Sequence, residues 1–214
     1  MVLQARAEAT RRRIIDSAVD LFDELGYGET GLADVLQRAG VSKGAFYYHF
    51  DSKEALAAAI IDQYRHQNAQ RVAEAIDTGA PLLERIIVAT FVSAAMMESE
   101  TPARIANQLV QALGQVSSTA TQVYSEWTTA FTRNLTEALK GVGTRDGVEA
   151  ADVAEAMWAA VLGCHLLSAA LDGAPQSRLA RAWRTMVLST IAEPAQSHYD
   201  EVLDRLAGQP QAVG

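Results

Sequence analysis

The sequence predicts an all-α protein in which an N-terminal three-helix domain with a helix-turn-helix precedes a larger helical bundle. Apolar residues recur three and four positions apart along most of the chain, which is the spacing of one helix face. Glycine and proline breaks divide this pattern into segments of helical length. A short connection that contains Gly40 joins two of the early segments, as in a helix-turn-helix.

The first fifty residues are predicted to form three short helices. The first helix ends at Gly26 and has its apolar residues at helical spacing: Ile14, Ala18, Leu21, Phe22 and Leu25. We expect Thr30 to cap a second helix that ends at Gly40, because threonine hydroxyls accept the free N–H groups of a first helical turn. Ser42 is expected to cap the third helix in the same way.

A long fourth helix and about five further helices are expected to follow. Asp51 and Glu54 have the spacing of a capping box, which predicts that the fourth helix runs from residue 52 toward residue 76. Turn-forming segments then separate the remaining helices: residues 78–81, 101–102, 141–147, 173–175 and 193–194. We place the domain boundary before the fourth helix, with residues 1–51 in the first domain and residues 52–214 in the second.

The third helix has two different sides. Phe46 and Phe50 are four residues apart and are expected to face the core. The other side carries polar and aromatic groups: Lys43, Tyr47, Tyr48 and His49. Gly44 lies in the first turn, where free N–H groups attract phosphates and the missing side chain permits close approach. Core packing explains the two phenylalanines but not an outer lysine and two tyrosines, so the pattern favours DNA binding.

These segments resemble the DNA-binding signature of TetR-family repressors. The likeness covers about residues 10–56 and rests on Thr30, residues 39–44, residues 46–50 and residues 53–56. It implies that base edges are met by Lys43, Gly44 and Ala45. It also implies that phosphates are held by Thr30, Tyr47, His49 and Lys53, with Ser42 and Tyr48 completing the DNA-binding set. Gly31 departs from the family, which commonly has a serine or threonine there.

The charge distribution is compatible with DNA in spite of an acidic total. The chain carries 18 Lys and Arg against 26 Asp and Glu, for a formal net charge of -8. Residues 1–70 hold 8 basic and 10 acidic side chains, so most of the excess acid lies in the C-terminal part. Arg6 and residues 11–13 form a basic N-terminal segment. This segment fits an arm that reaches phosphates or a minor groove, and it equally fits a solvated tail.

By the same family resemblance, residues 52–214 form a ligand-binding and dimerisation domain. Residues 124–127, with Phe131 on the same helix, are similar to the γ-butyrolactone autoregulator receptors, a subgroup of the family. In that subgroup a tryptophan that matches Trp127 lines the ligand pocket, and ordinary core packing is the alternative. Side-chain chemistry adds candidates that core packing also explains: Phe91, Met96, Gln108, Thr128 and Phe131.

The segment from residue 150 to residue 191 is a candidate dimer interface. Its first part is rich in alanine and contains Gly163, which permits close helix packing. Trp183, Val187 and Ile191 then form an apolar stripe, although packing within one chain would use the same residues. The longest uncharged run, residues 156–171, is shorter than the ~18–20 apolar residues of a membrane span. We therefore expect a buried helix and no membrane partner.

The sequence thus predicts a cytoplasmic, ligand-responsive transcriptional repressor. Its expected partners are double-stranded, palindromic operator DNA, a second copy of the chain, and a small inducer. A homodimer or a pair of dimers would bind each operator. The first choice of inducer is a largely apolar γ-butyrolactone, and a drug or a lipid or acyl molecule is the alternative.

Other classes of function are less well supported by the sequence. Cys164 and His165 are adjacent and point about 100° apart on a helix, so we expect no catalytic residue there or elsewhere. One cysteine and the spacing of the histidines predict no metal site, and nothing indicates a cofactor. A small all-α enzyme and a helical module that binds only protein remain as alternatives.

Overall fold

The chain folds into helices, which confirms the predicted all-α class. The computed structural model describes residues 2–114, 118–170, 175–193 and 195–208. Within these ranges there are ten helices: α1 (Val2–Leu25), α2 (Leu32–Ala39), α3 (Lys43–His49), α4 (Lys53–Ala75), α5 (Leu82–Ser99), α6 (Thr101–Leu113), α7 (Ser118–Val142), α8 (Ala150–Ala170), α9 (Pro175–Thr190) and α10 (Ala195–Gly208). The only extended pairing in the described ranges is an isolated bridge between Thr144 and Ile191.

The helices belong to two compact units, each built from two separate stretches of the chain. The first unit comprises Met1–Gln67 and Glu100–Tyr124, and the second comprises Asn68–Ser99 and Ser125–Gly214. Helices α4 and α7 each run from one unit into the other. The functional boundary before residue 52 stays a prediction, because compactness does not by itself assign DNA or ligand binding to a segment.

In the first unit, α1 packs against α2 and α6. An ion pair joins α6 to α1, with the Arg104 guanidinium 2.9 Å from the Asp23 carboxylate. The basic N-terminal segment is part of α1, which begins at Val2, so the expected arm or tail is wrong. The physical reason is helix propensity, since this stretch consists mostly of alanine, arginine, glutamine and glutamate.

Two helices of the first unit begin differently from the prediction. Gly31, and not Thr30, is the N-cap of α2, and its N–H donates to Asp34 Oδ2 at 2.9 Å. A Cβ at Gly31 would lie 3.0 Å from the same oxygen, so the glycine leaves room for this carboxylate. Ser52, and not Asp51, caps α4, since its hydroxyl accepts a hydrogen bond from a first-turn N–H at 3.1 Å.

Six helices follow α4 in the described ranges, where about five were expected. The break predicted at residues 101–102 is present at Glu100, between the end of α5 and the start of α6. Pro102 lies in the first turn of that helix, where its missing N–H costs no helical hydrogen bond. The additional helix end is at Gly114, the C-cap of α6. Sequence patterns did not reveal it, because an isolated glycine is tolerated inside a helix.

The second unit is built around Trp183 of α9, which packs against α5, α8 and α10. The Trp183 indole is fully buried, and its Nε1–H donates to the Thr90 hydroxyl of α5 at 2.9 Å. Val187 and Ile191 are also 0% exposed. The apolar stripe of α9 therefore packs inside one chain, and its assignment to a dimer interface is wrong.

Helix α8 has one buried face and one face that its own chain leaves open. The buried face carries residues about one turn apart: Ala150, Ala154, Met157, Val161 and Cys164. By length and composition the window Ala150–Leu167 is apolar enough to cross a membrane, yet two acidic residues interrupt it and 28% of it is buried. The expected buried helix is therefore confirmed for one face only. Leu166 and Leu167, for example, are 55% and 49% exposed.

Candidate functional site

The turn between α2 and α3 is held by the backbone and by one side chain. Gly40 has φ 61° and ψ 41°, a left-handed conformation that favours glycine. The Val41 N–H donates to the Leu36 carbonyl at 3.1 Å, which closes the end of α2. Ser42 caps α3 as predicted, since its hydroxyl accepts a hydrogen bond from the Ala45 N–H at 3.1 Å. These contacts fix the residue at which α3 begins.

Loss of the Ser42 hydroxyl is expected to loosen α3. Ser42→Ala leaves the Ala45 N–H without its acceptor, and N-cap replacements of this kind cost about 1 kcal/mol. Urea unfolding should show that fall in the free energy of unfolding. Ser125→Ala is the control, because Ser125 is exposed within α7 and its loss should cost less than ~0.5 kcal/mol. Equal effects of the two variants would contradict the role of the cap.

The outer face of α3 consists of Lys43, Gly44, Tyr47 and Tyr48, and all four residues are exposed. Tyr47 and Tyr48 are 46% and 77% exposed. Lys43 Nζ lies 5.9 Å from the centroid of the Tyr47 ring. A Cβ added at Gly44 would have only the Ser42 hydroxyl near it, at 3.9 Å. The backbone of the first turn is therefore open to a ligand as large as DNA.

The remaining residues of α3 anchor this face. Phe46 and Phe50 lie in the core, as their spacing predicts, at 0% and 5% exposed. Ala45 and His49 are half-buried, and the His49 ring packs edge to face against Tyr48 with centroids 4.9 Å apart. Direct contacts of Ala45 and His49 with DNA stay predictions.

The side chains of Thr30 and Lys53 form hydrogen bonds with backbone carbonyls of their own chain. Thr30 is 1% exposed, and its hydroxyl donates to the Gly26 carbonyl at 2.8 Å. The expectation that this side chain holds a phosphate is wrong, because the hydroxyl is shielded and already bonded. Lys53 donates to the Tyr27 and Thr30 carbonyls, each at 2.9 Å, and its Nζ lies 4.2 Å from the Tyr27 ring centroid. This arrangement, the Lys53 clamp, leaves one ammonium N–H for the predicted phosphate contact.

Arginines of the first unit differ in whether their guanidinium groups are engaged within the chain or exposed. Arg38 forms a bidentate ion pair with Glu24 at 2.7 and 2.9 Å, and this hydrogen bonding lowers the pKa of Glu24. The Arg11 guanidinium lies 5.4 Å from the Phe50 ring centroid. Arg12 and Arg13 are exposed on α1. Contacts of these last two with phosphates would therefore come from a helix.

The structure distributes the predicted ligand residues over both units. Gln108 belongs to the first unit, whereas the others belong to the second. Phe91 and Met96 are 1% and 4% exposed, so both are core residues of the second unit. Trp127 is half-buried on α7.

Thr128, Phe131 and Trp158 form a cluster between α7 and α8. The Trp158 Nε1–H donates to Thr128 Oγ1 at 2.9 Å, and the Phe131 and Trp158 ring centroids are 4.9 Å apart. Thr128 also lines an open cavity of about 790 Å³, whose walls include Thr132, Thr136 and Arg133. Sequence reasoning missed Trp158, because no spacing rule pairs a residue of α7 with one of α8.

Known relatives match the helices that carry the α3 outer face. The family model for bacterial regulatory proteins of the tetR family matches residues 14–60. The A-factor receptor protein of Streptomyces griseus is 51% identical over 63 residues, which are 29% of this chain and 23% of that protein. The HTH-type transcriptional regulator TtgR of Pseudomonas putida is 38% identical over 86 residues, 38% of this chain and 41% of that protein. These matches span less than half of the length of either relative.

Solved structures extend the likeness to nearly the whole chain. The TetR family protein CprB from Streptomyces coelicolor, in complex with its operator sequence, has a TM-score of 0.77 and 29% identity, and the match covers 95% of this chain and 99% of CprB. The chain is therefore similar to a TetR-family protein over nearly its whole length. A γ-butyrolactone receptor described as ArpA-like matches this chain with a TM-score of 0.77 and 28% identity, over 94% and 98% of the two chains. The predicted resemblance to that subgroup is confirmed.

The matched family model and TtgR are both described as regulators. Cys164 and His165, the adjacent pair considered for catalysis, both have shifted pKa values. Burial raises the pKa of the Cys164 thiol and lowers the pKa of His165 to about 4. At neutral pH the thiol is therefore protonated, and an imidazole with so low a pKa is a weak base for activating a nucleophile. In the described ranges, no group of three or more His, Cys, Asp or Glu side chains is placed to hold a metal ion.

Proposed function

We propose that this chain is a TetR-family transcriptional repressor that binds a pseudo-palindromic operator as a homodimer and releases it when a small signal molecule binds. The α3 outer face is the observation that supports DNA binding, because a capped helix presents Lys43 and Tyr47 beside an open first turn. The operator complex of CprB supports it by likeness. A protein that acts on operator DNA is expected in the cytoplasm.

The proposed interface assigns each side chain a separate task. Lys43 and the backbone around Gly44 meet base edges, where lysine donates to guanine acceptors in the major groove. Tyr47 holds a phosphate through its exposed hydroxyl, and the remaining N–H of Lys53 holds another. Two α3 helices of a dimer would enter successive major grooves about 34–36 Å apart. A pair of dimers would serve an operator with more than two half-sites.

The homodimer in this proposal covers the open faces of α8 and α9. Gly163 lies on α8 with no atom within 4 Å of an added Cβ, so a second helix can approach its backbone. Leu166 and Leu167 on α8 and Leu188 on α9 are large exposed hydrophobic residues, and each loses contact with water if a second copy covers them. A stable homodimer of this kind buries ~2,000 Å² or more in total.

The proposed signal molecule is a γ-butyrolactone that binds beside Trp127. The likeness to γ-butyrolactone receptors supports this class. Trp127 is half-buried and follows the residue pattern of that subgroup on α7. A lactone is neutral and largely apolar, which suits an aromatic wall with few hydrogen-bonding groups. It would release DNA by favouring a conformation in which the two α3 helices no longer match the operator, and a full switch needs ~10⁴-fold preference.

The experiment first selects operator duplexes from a random library, which should return a pseudo-palindrome, and then titrates a γ-butyrolactone panel. We expect Trp127→Ala to keep operator affinity and to need at least about tenfold more lactone for release, the equivalent of ~1.4 kcal/mol. Trp183→Ala is the comparison, because Trp183 is a fully buried core residue whose loss should damage folding and DNA binding together. Circular dichroism and gel shift separate these two patterns.

The outcomes distinguish the two halves of the proposal. A Trp127→Ala protein that behaves like Trp183→Ala would show that Trp127 is core and not pocket. Release by a flat aromatic drug or an acyl thioester, without release by any lactone, would overturn the lactone but leave the repressor intact.

A further inference from the structure

The first unit contains a cavity that the proposed function does not use. One side of this cavity is formed by α6, and the other by the C-terminal end of α1 and the turn that follows α1. We call it the α1–α6 cavity. Its volume is about 430 Å³, within the ~300–1,000 Å³ of small-molecule sites. Phe22, Tyr27, Ile105 and Gln108 are among its lining residues, and all of them belong to the first unit.

The walls of this cavity are apolar and uncharged. Phe22, Ile105 and Leu109 are 3%, 1% and 2% exposed, so they form a packed inner surface. Ala112 lines the outer part and is exposed, and its small side chain leaves the volume open. No lining residue carries a charge, so a charged ligand would lose its hydration without gaining a partner.

Two polar side chains at the α1–α6 cavity are available to a ligand. The Tyr27 hydroxyl is shielded from solvent, and the neighbouring Glu54 carboxylate lies outside hydrogen-bond geometry, which is uncommon for a buried polar group. Burial and the nearby Glu54 carboxylate raise the pKa of Tyr27, so its hydroxyl stays a neutral donor. Gln108 is exposed and adds an amide that both donates and accepts.

We propose that the α1–α6 cavity binds a neutral, largely apolar small molecule with one hydrogen-bonding group, which Tyr27 and Gln108 meet. The site is separate from the proposed lactone site at Trp127, which belongs to the other unit. Its apolar walls select a carbon framework of one or two rings, and its two polar groups select a carbonyl or hydroxyl.

A ligand in this cavity would act on the DNA-binding helices through Tyr27. The Lys53 clamp holds the Tyr27 carbonyl and stacks on its ring, and Lys53 is the first residue of α4. Only three residues separate the end of α3 from Lys53. A shift of Tyr27 therefore moves the segment that fixes the end of α3. This effect on DNA rests on the proposed function, whereas binding itself does not.

The binding test uses 1-tetralone, a neutral bicyclic ketone, and tetralin, the same bicycle without the carbonyl. Methyl NMR of isoleucine-labelled full-length protein reports on Ile105, whose signal is assigned with Ile105→Val. We expect both probes to shift this methyl signal, with 1-tetralone binding about two- to tenfold more tightly, the worth of one neutral hydrogen bond. Tryptophan fluorescence would not serve, since all three tryptophans belong to the second unit.

Two sets of variants test the volume of the cavity and its hydrogen-bonding groups separately. Ala112→Trp should fill the cavity and abolish the shifts from both probes, whereas Gln111→Trp, which does not line the cavity, should leave them unchanged. The double variant Tyr27→Phe with Gln108→Met should bind tetralin as before and lose the preference for 1-tetralone. The proposal is overturned if neither probe shifts the Ile105 signal, or if the preference for the ketone survives in the double variant.

The regulatory effect is measured separately on the selected operator. Saturating 1-tetralone should change operator affinity at least threefold in the unmodified protein and leave Ala112→Trp unaffected. Binding without any such change would overturn the regulatory role. If the chain binds no operator at all, the proposed function fails, and the Ile105 titration still decides whether the site exists.

Discussion

Lys43→Ala is expected to lower affinity for the selected operator about tenfold or more, because a side chain that meets a base edge contributes ~1–3 kcal/mol. Lys43 is exposed at the start of α3, and its ammonium lies beside the Tyr47 ring. The loss should be larger on the operator than on an unrelated duplex, so specificity falls along with affinity. Gel shift on both duplexes over a range of salt concentrations measures both effects.

Two variants provide the comparison for Lys43. Lys140→Ala removes the same charge from an exposed position on α7 in the second unit and should leave operator affinity nearly unchanged. Tyr47→Ala should weaken both duplexes similarly, without a change in the slope of log K against log salt, because the phenol carries no charge. If Lys43→Ala and Tyr47→Ala both bind the operator normally while folded, the α3 outer face is not the DNA-binding surface.

Gly163→Glu is expected to convert the proposed dimer into monomers and to reduce operator binding by at least about a hundredfold. An added Cβ at Gly163 meets no atom of its own chain within 4 Å, so the fold of one chain accommodates the side chain. In the proposed dimer the same carboxylate would be buried against a second helix without a partner. An unpaired buried charge costs ~3–5 kcal/mol, the equivalent of more than a hundredfold in the dimer equilibrium.

Gly141→Glu is the matched control for this prediction. Gly141 is exposed near the end of α7, and an added Cβ there also meets nothing within 4 Å. Sedimentation equilibrium should give a dimer mass for Gly141→Glu and a monomer mass for Gly163→Glu, with equal helix content by circular dichroism. A dimer mass for both variants would place the interface on a different surface.

The sequence predicted the helix-turn-helix well because its signals are local. Gly40 in a left-handed conformation, Ser42 as a cap and Phe46 four residues before Phe50 act within one or two turns of backbone. The role of Lys53 was not local. Lys53 bonds carbonyls 23 and 26 residues away, and no periodicity in the sequence marks such a contact.

The prediction of ligand-binding residues was limited in the same way, because it too depends on contacts between distant segments. An apolar helix face has the same sequence pattern whether it packs in a core, lines a pocket or meets a second chain, because the hydrophobic effect has no direction. Phe91 and the stripe containing Trp183 therefore proved to be core, whereas the open residues of α8 include Leu166. The sequence also assigned Gln108 to the same ligand set as Trp127, although the two belong to different compact units.

By itself the sequence determined the all-α class, the start of α3 and the exposure of Lys43, Tyr47 and Tyr48 on its outer face. Caps, turn glycines and the two sides of a short helix are set by neighbours within a few positions, so the local sequence is enough to predict them. Only the tertiary structure decided which apolar faces stay open, that Lys53 is clamped to Tyr27, and that α1 and α6 line a partly open cavity. Those features depend on contacts between distant segments, whose geometry is fixed by packing and not by spacing.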